Sequence, residues 1–167
     1  QQDDELDESG AVYVFDYSGE VWNQTAYLKA SNAGSGDALG VAVAISGDGN
    51  TLVATAADED GMVTGVNGIQ DQTVSVDAAD SNIAAGAIYV FVHTNGSWSQ
   101  QAYVKASNTG VNDWFGSRVA LSGDGNILAA GAQLEDSAAQ GIDGIQDDDT
   151  ATGAGAVYLF ARTDGAW

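Results

Sequence analysis

Gly86-Ala87-Ile88-Tyr89-Val90-Phe91 decides the fold, because the chain writes it three times. It reads Gly10-Ala11-Val12-Tyr13-Val14-Phe15 near the start and Gly155-Ala156-Val157-Tyr158-Leu159-Phe160 near the end. Each copy is a β-branched and aromatic run opened by a glycine, the composition of a buried strand. Each is followed by a turn and a tryptophan: Trp22, Trp98 and Trp167. A chain organised this way is a repeat protein whose units bury their faces on neighbouring units.

Working outward, a shift of 76 residues lays 10–72 onto 86–148 without a gap, with about half the positions identical. Tyr27 falls on Tyr103, Lys29-Ala30-Ser31-Asn32 on Lys105-Ala106-Ser107-Asn108, and Ser46-Gly47-Asp48-Gly49-Asn50 on Ser122-Gly123-Asp124-Gly125-Asn126. The loops match too, Glu59-Asp60 with Glu135-Asp136 and Gly68-Ile69-Gln70-Asp71 with Gly144-Ile145-Gln146-Asp147. Within one period, strands are expected at 11–15, 22–28, 39–45 and 51–57. Tight turns join them at 17–19 and 46–50, and a long acidic connection follows from 58 to 85. Four short strands per period, with no helical periodicity, is the pattern of a β-propeller blade. The chain divides into an acidic tail at 1–9, repeat 1 at 10–85, repeat 2 at 86–154 and the start of a third at 155–167.

Composition narrows the function. Twenty-four Asp and Glu face only Lys29, Lys105, Arg118 and Arg162, a net charge of −20. Phosphate backbones and anionic membrane surfaces are repelled by such a chain, so nucleic acid and membrane insertion are not expected. The acidity reads as a solvated surface, as Ca²⁺ sites, or as adaptation to a salty medium that screens self-repulsion. There is no cysteine, hence no disulfide framework or thiolate site. No apolar run reaches the length of a membrane helix. The chain starts at Gln1, as a processed chain or a piece of a longer one would.

At Trp114-Phe115-Gly116-Ser117-Arg118-Val119-Ala120-Leu121-Ser122-Gly123-Asp124-Gly125-Asn126, followed by Leu128-Ala129-Ala130-Gly131-Ala132, the chain resembles the FG-GAP repeat. That is the blade unit of integrin-α-type β-propellers, here in its bacterial long-repeat form. In repeat 1 Leu39 stands for the phenylalanine and Thr55 for the second glycine. The resemblance implies four-stranded antiparallel blades, the Phe-Gly strand innermost, and calcium in an acidic loop of some blades. The turns at 46–50 and 122–126 hold one aspartate each, too few to wrap a six- to eight-coordinate ion. Asp48 and Asp124 therefore read as turn formers.

The oxygen clusters that could take calcium lie in the long connections. The first offers Asp58, Glu59, Asp60, Asn67, Asp71 and Asp77; the second offers Glu135, Asp136, Asp143, Asp147, Asp148 and Asp149. Carboxylates interleaved with glycine suit a hard cation, and a solvated acidic loop is the plain alternative. Catalysis has little to stand on. The single histidine, His93, has Tyr17 and Arg162 as counterparts, and no nucleophile elbow or phosphate loop is present. The in-register tryptophans read as packing residues, with Trp98 expected to be buried against Tyr89 or Tyr103. Trp114, whose counterpart is Ala38, is the aromatic expected to touch a ligand. Sequons at Asn23-Gln24-Thr25 and Asn95-Gly96-Ser97 are candidate glycosylation sites at one repeated hairpin.

The all-β reading gives about two repeats plus a partial third, open at both ends: an outer hairpin at 11–28, a whole blade at 39–104 and three strands at 115–160. The expected function is that of a non-enzymatic extracellular or cell-surface structural or adhesive protein that associates head-to-tail with copies of itself, as a filament or ring. The alternative is a calcium-dependent module, lectin- or integrin-like, that binds carbohydrate or a surface protein. A hydrolase on the same scaffold is a third reading.

Overall fold

The computed structural model describes residues 6–70 and 83–167. They form nine strands and no helix: β1 (Val12–Ser18), β2 (Val21–Leu28), β3 (Val43–Ile45), β4 (Thr51–Ala56), β5 (Ala87–Thr94), β6 (Ser97–Val104), β7 (Phe115–Leu121), β8 (Ile127–Ala132) and β9 (Ala156–Ala161). Three antiparallel sheets result, β1-β2, β3-β4-β5-β6 and β7-β8-β9. The strands thus fall into a two-, a four- and a three-stranded group, the grouping expected from the resemblance that puts the Phe-Gly strand innermost.

Local chemistry explains the hairpins. Gly19-Glu20, Asn95-Gly96 and Asp164-Gly165 each have positive φ at both turn positions, the twist that suits a two-residue hairpin. The first two hairpins also share a bulge, between Val14 and Phe15 and between Val90 and Phe91. In the inner turns Asp48 accepts from the Ser46 hydroxyl at 2.6 Å and the Asn50 amide at 3.0 Å, and these bonds draw its carboxyl down to about 2. Asp124 repeats the arrangement with Ser122 and Asn126. Both aspartates are turn formers.

One strand is shorter than expected. Of residues 39–45 only Val43–Ile45 pair as a strand, whereas the counterpart β7 runs the full Phe115–Leu121. Thr55, standing where repeat 2 has Gly131, is fully buried, and its hydroxyl accepts the Ala42 amide at 3.0 Å. It adds to backbone bonds that still cross here, Thr55 donating to the Ala42 carbonyl at 3.0 Å and accepting from Gly40 at 2.8 Å.

The sheets stack face to face through two cores. In the first, Val12, Val14 and Leu28 of the β1-β2 hairpin meet Tyr89, Phe91 and Tyr103 of the four-stranded sheet. In the second, Ile88, Val90 and Val104 on the opposite face of that sheet meet Phe115, Leu128 and Tyr158 of the third sheet. β4 is therefore buried at every position, which is why it carries small and apolar residues with two threonines and no charged residue, instead of alternating. Backbone contacts lock each sheet to the next. A Cβ on Gly86 would lie 2.1 Å from the Phe115 carbonyl oxygen, and one on Gly10 would lie 2.2 Å from the Leu39 nitrogen. Only glycine permits that approach, so the residue opening the repeated stretch is the joint between units.

Candidate functional site

The most heavily engineered polar group in the chain is buried inside the four-stranded sheet. Glu59, just past β4, and Lys105, just past β6, have fully buried side chains and pair at 2.7 Å. The Tyr103 hydroxyl donates to the other Glu59 oxygen at 2.7 Å, and the Asn32 amide reaches the same oxygen at 3.4 Å. Tyr89 donates its hydroxyl to Asn32 at 2.8 Å, and its ring lies 5.4 Å from that of Tyr103. Burial pushes the ammonium of Lys105 down from its ordinary pKa, an effect partly offset by Glu59. Burial, with Glu59 nearby, raises both phenols. This is a closed hydrogen-bonded circuit that ties the long connection to the outer strands, and it leaves no oxygen of Glu59 without a donor.

Repeat 2 carries the same parts up to a point. Glu135 is buried and accepts from the Asn108 amide at 2.9 Å and the Ser137 backbone amide at 3.1 Å. Tyr158 donates to Asn108 at 2.5 Å, as Tyr89 does to Asn32, and its phenol is pushed up to about 12 by burial and by Glu135 and Asp113. The loop contacts recur as well, Ser31 donating to Gln70 and Ser107 to Gln146.

The candidate calcium ligands are dispersed by these roles. Glu59 serves Lys105 and Tyr103. Asp60 accepts the backbone amides of Ile83 and Ala84 at 3.2 Å each, and Asp136 accepts that of Gly153 at 2.6 Å. Asp58 is half-buried, and burial followed by repulsion from Asp60 raises its carboxyl. Asp143 and Asp147 are exposed, and Asp71 and Asp77 lie outside the described residues. Among the described residues no three or more acidic or histidine side chains converge as a metal would require. The residues present do not fit a calcium cage, whose carboxylates must be free to turn toward one ion.

The repeated tryptophans differ from expectation. Trp98 is half-buried: it packs against the core that holds Tyr89 and Tyr103, and its ring stacks on His93 across the hairpin, centroids 5.2 Å apart. Tyr17 with Trp22 at 5.3 Å and Arg162 with Trp167 at 5.4 Å occupy the same place in the other repeats. The tryptophan is thus a hairpin clasp that accepts any flat or cationic partner, which explains why the histidine position varies. Trp114 is 37 % exposed with φ of 55°, and its counterpart Ala38 has φ of 56°. Asn23 and Asn95 are exposed, the first on β2 and the second in the β5–β6 turn.

Two unlike apolar faces remain uncovered. On β1-β2, Tyr13, Phe15 and Tyr27 are 49 %, 50 % and 41 % exposed, although their counterparts Tyr89, Phe91 and Tyr103 are buried. On β9, Val157 and Leu159 are 72 % and 73 % exposed, although their counterparts Ile88 and Val90 are fully buried. Sequence reasoning noted open ends but missed the buried pair. The signal was available: two of only four basic residues, Lys29 and Lys105, stand at matched positions in a strongly acidic chain, and so do Glu59 and Glu135.

Comparison with known proteins agrees with this geometry. No curated protein sequence matches the chain. Among solved structures, a candidate 6-phosphogluconolactonase from Bacteroides uniformis superimposes with a TM-score of 0.52 at 14% identity, covering 96% of this chain and 32% of that one. The likeness is one of fold, and the chain spans about a third of that protein's length. Residues 98–160, from the clasp tryptophan of β6 to the end of β9, match the FG-GAP repeat. Residues 98–160 thus carry an FG-GAP repeat, and the same landmarks recur 76 residues earlier.

Proposed function

We propose that the chain is a non-enzymatic structural and adhesive module of the extracellular or cell surface, each four-stranded sheet serving as one β-propeller blade. It works by adding further sheets of its own kind head-to-tail. One observation carries the reading: the two uncovered faces are opposite halves of an interface that the chain already forms twice internally. The Val157-Leu159 face corresponds to Val12-Val14 and Ile88-Val90, both of which sit against a Tyr/Phe face. The Tyr13-Phe15-Tyr27 face corresponds to Tyr89-Phe91-Tyr103, which sits against Val12 and Val14. Joining unlike surfaces of identical subunits gives a ring or an open filament.

The contact is sheet face on sheet face. The −20 charge opposes association, so salt should strengthen it. Among the described residues no three or more acidic or histidine side chains converge on a metal site. Sedimentation velocity over rising concentration in high salt tests the reading. Species heavier than one chain are expected, and a single monomeric boundary at every concentration would overturn it.

A further inference from the structure

The buried circuit around Glu59 brings an amine, a carboxyl and a carboxamide together. Lys105 stands just past β6, Glu59 just past β4, and Asn32 in the loop after β2. One carboxylate holds both nitrogens: Lys105 Nζ lies 2.7 Å from Glu59 Oε2, and Asn32 Nδ2 lies 3.4 Å from Oε1. The other end of the amide is held too, since the Tyr89 hydroxyl donates to Asn32 Oδ1 at 2.8 Å. Lys105, Glu59, Tyr89 and Tyr103 are fully buried, and Asn32 is half-buried. The backbone closes over the acid at Gly61, where a Cβ would lie 2.7 Å from Glu59 Oε1 and 2.9 Å from the Tyr103 hydroxyl.

An ion pair needs only the lysine and the acid. It does not need an amide whose nitrogen faces that acid and whose oxygen faces a phenol. Those are the parts of an acyl transfer: a nucleophile, a proton carrier, a leaving nitrogen and a donor for the developing oxyanion. Burial pushes the Lys105 ammonium down from its ordinary pKa, and Glu59 offsets this only in part. Passing one proton along the 2.7 Å contact leaves a free amine, the form a dry site favours. Groups held in such fixed proximity react as though highly concentrated.

We infer that Lys105 and Asn32 join in an isopeptide bond that the chain forms by itself, with Glu59 as the proton carrier. The Nζ lone pair attacks Cγ of Asn32, and the Tyr89 hydroxyl holds the charge that develops on Oδ1. Glu59 takes a proton from Nζ and gives one to Nδ2. The Cγ–Nδ2 bond breaks, ammonia leaves, and an Nζ–Cγ amide remains. The step is redox-neutral and needs no co-reactant. It happens once per chain, so it is a self-modification and not turnover of a substrate. The bond ties the loop after β2 to the end of β6, making the first hairpin and the four-stranded sheet one covalent unit. It goes beyond the adhesive reading and does not depend on association between copies.

Trypsin and a glutamyl endopeptidase, applied to the denatured full chain, reveal the bond by fragment mass. Trypsin cuts after Lys29 and Arg118 but not after an acylated Lys105, and the second enzyme cuts after Glu59, the one glutamate between them. Residues 30–59 should therefore stay joined to 60–118, with one ammonia missing from the combined mass. The fragment position is decisive, because cyclisation of Gln1 also releases ammonia. Asn32→Ala protein should release 30–59 and be cut after Lys105. Glu59→Gln keeps an acceptor for Tyr103 but cannot carry the proton, so trypsin alone should free 106–118 from it. A purely structural acid would leave cleavage after Lys105 unchanged between wild type and Glu59→Gln. Release of 106–118 from the wild type, a Glu59→Gln protein that still resists that cut, or an amide to Glu59 with loss of water would each overturn the proposal.

Discussion

Removing Lys105 should be among the most costly single changes this chain can suffer. Its ammonium and the Glu59 carboxylate are both fully buried at 2.7 Å, and Tyr103 completes the shell of the acid. Lys105→Met keeps the length and apolar stem of the side chain but strands a carboxylate in the core. Breaking a buried pair from one side costs about 3–5 kcal/mol. In a chain of this size each kcal/mol shifts the melting temperature by roughly 2–4 °C, so a fall of about 6–20 °C is expected. Glu59→Gln should lose less, because the glutamine oxygen still accepts from Tyr103 while the lysine loses its counter-charge. The double variant should lose much less than the sum of the two single losses, since neither charge then remains. Urea denaturation of the wild type, both singles and the double closes the cycle. A Lys105→Met loss under about 1 kcal/mol, or strict additivity in the double, would show that the pair is solvated, and the burial argument would fail with it.

Two further outcomes follow from the same geometry. Gly86→Ala and Gly19→Ala share a positive φ, worth about 1–2 kcal/mol, but only the first drives a Cβ into the Phe115 backbone. Gly86→Ala should therefore lose more than about 4 kcal/mol in urea denaturation, and equal losses would mean that the joint between sheets is loose. Above pH 10 the chain should unfold cooperatively. Tyr89, Tyr103 and Tyr158 have pKa values raised by burial over the unfolded value of about 10, so the stability they lend is whole below that pH and lost as it rises. Phenolate absorbance of these three should appear together with loss of the far-ultraviolet strand signal; ionisation in a chain that stays folded would contradict their burial.

Much of the fold could be read from the repeated Gly-Ala-Ile-Tyr-Val-Phe stretch, because a period is visible without any knowledge of packing. Strand grouping needed more than the offset: it followed from the resemblance that puts the Phe-Gly strand innermost. The β3 shortening did not, since 39–45 and 115–121 read alike as apolar runs. The acidic connections were legible as conserved between repeats but not as to purpose. Glu59 and Asp60 look like cation ligands in sequence, and only three-dimensional placement shows one facing a lysine 46 residues away and the other capping two backbone amides. Trp98 illustrates the same limit. Its periodicity shows that it packs, but not that it lies half-buried at the core's margin while its ring clasps His93 on the partner strand.

The central claim is that the two uncovered faces are halves of one interface, and mixing two disabled chains tests it most directly. Phe15→Asp places a charge on the aromatic face and Leu159→Asp on the aliphatic one; both sites are exposed, so both variants should fold. In high-salt sedimentation velocity each variant alone should run as a monomer, because each lacks one half of the contact. Mixed in equal amounts, they should form a one-to-one dimer and nothing larger, since each partner contributes its intact face and blocks further growth. A mixture that stays monomeric while wild type associates, or either variant still associating alone, would contradict the account.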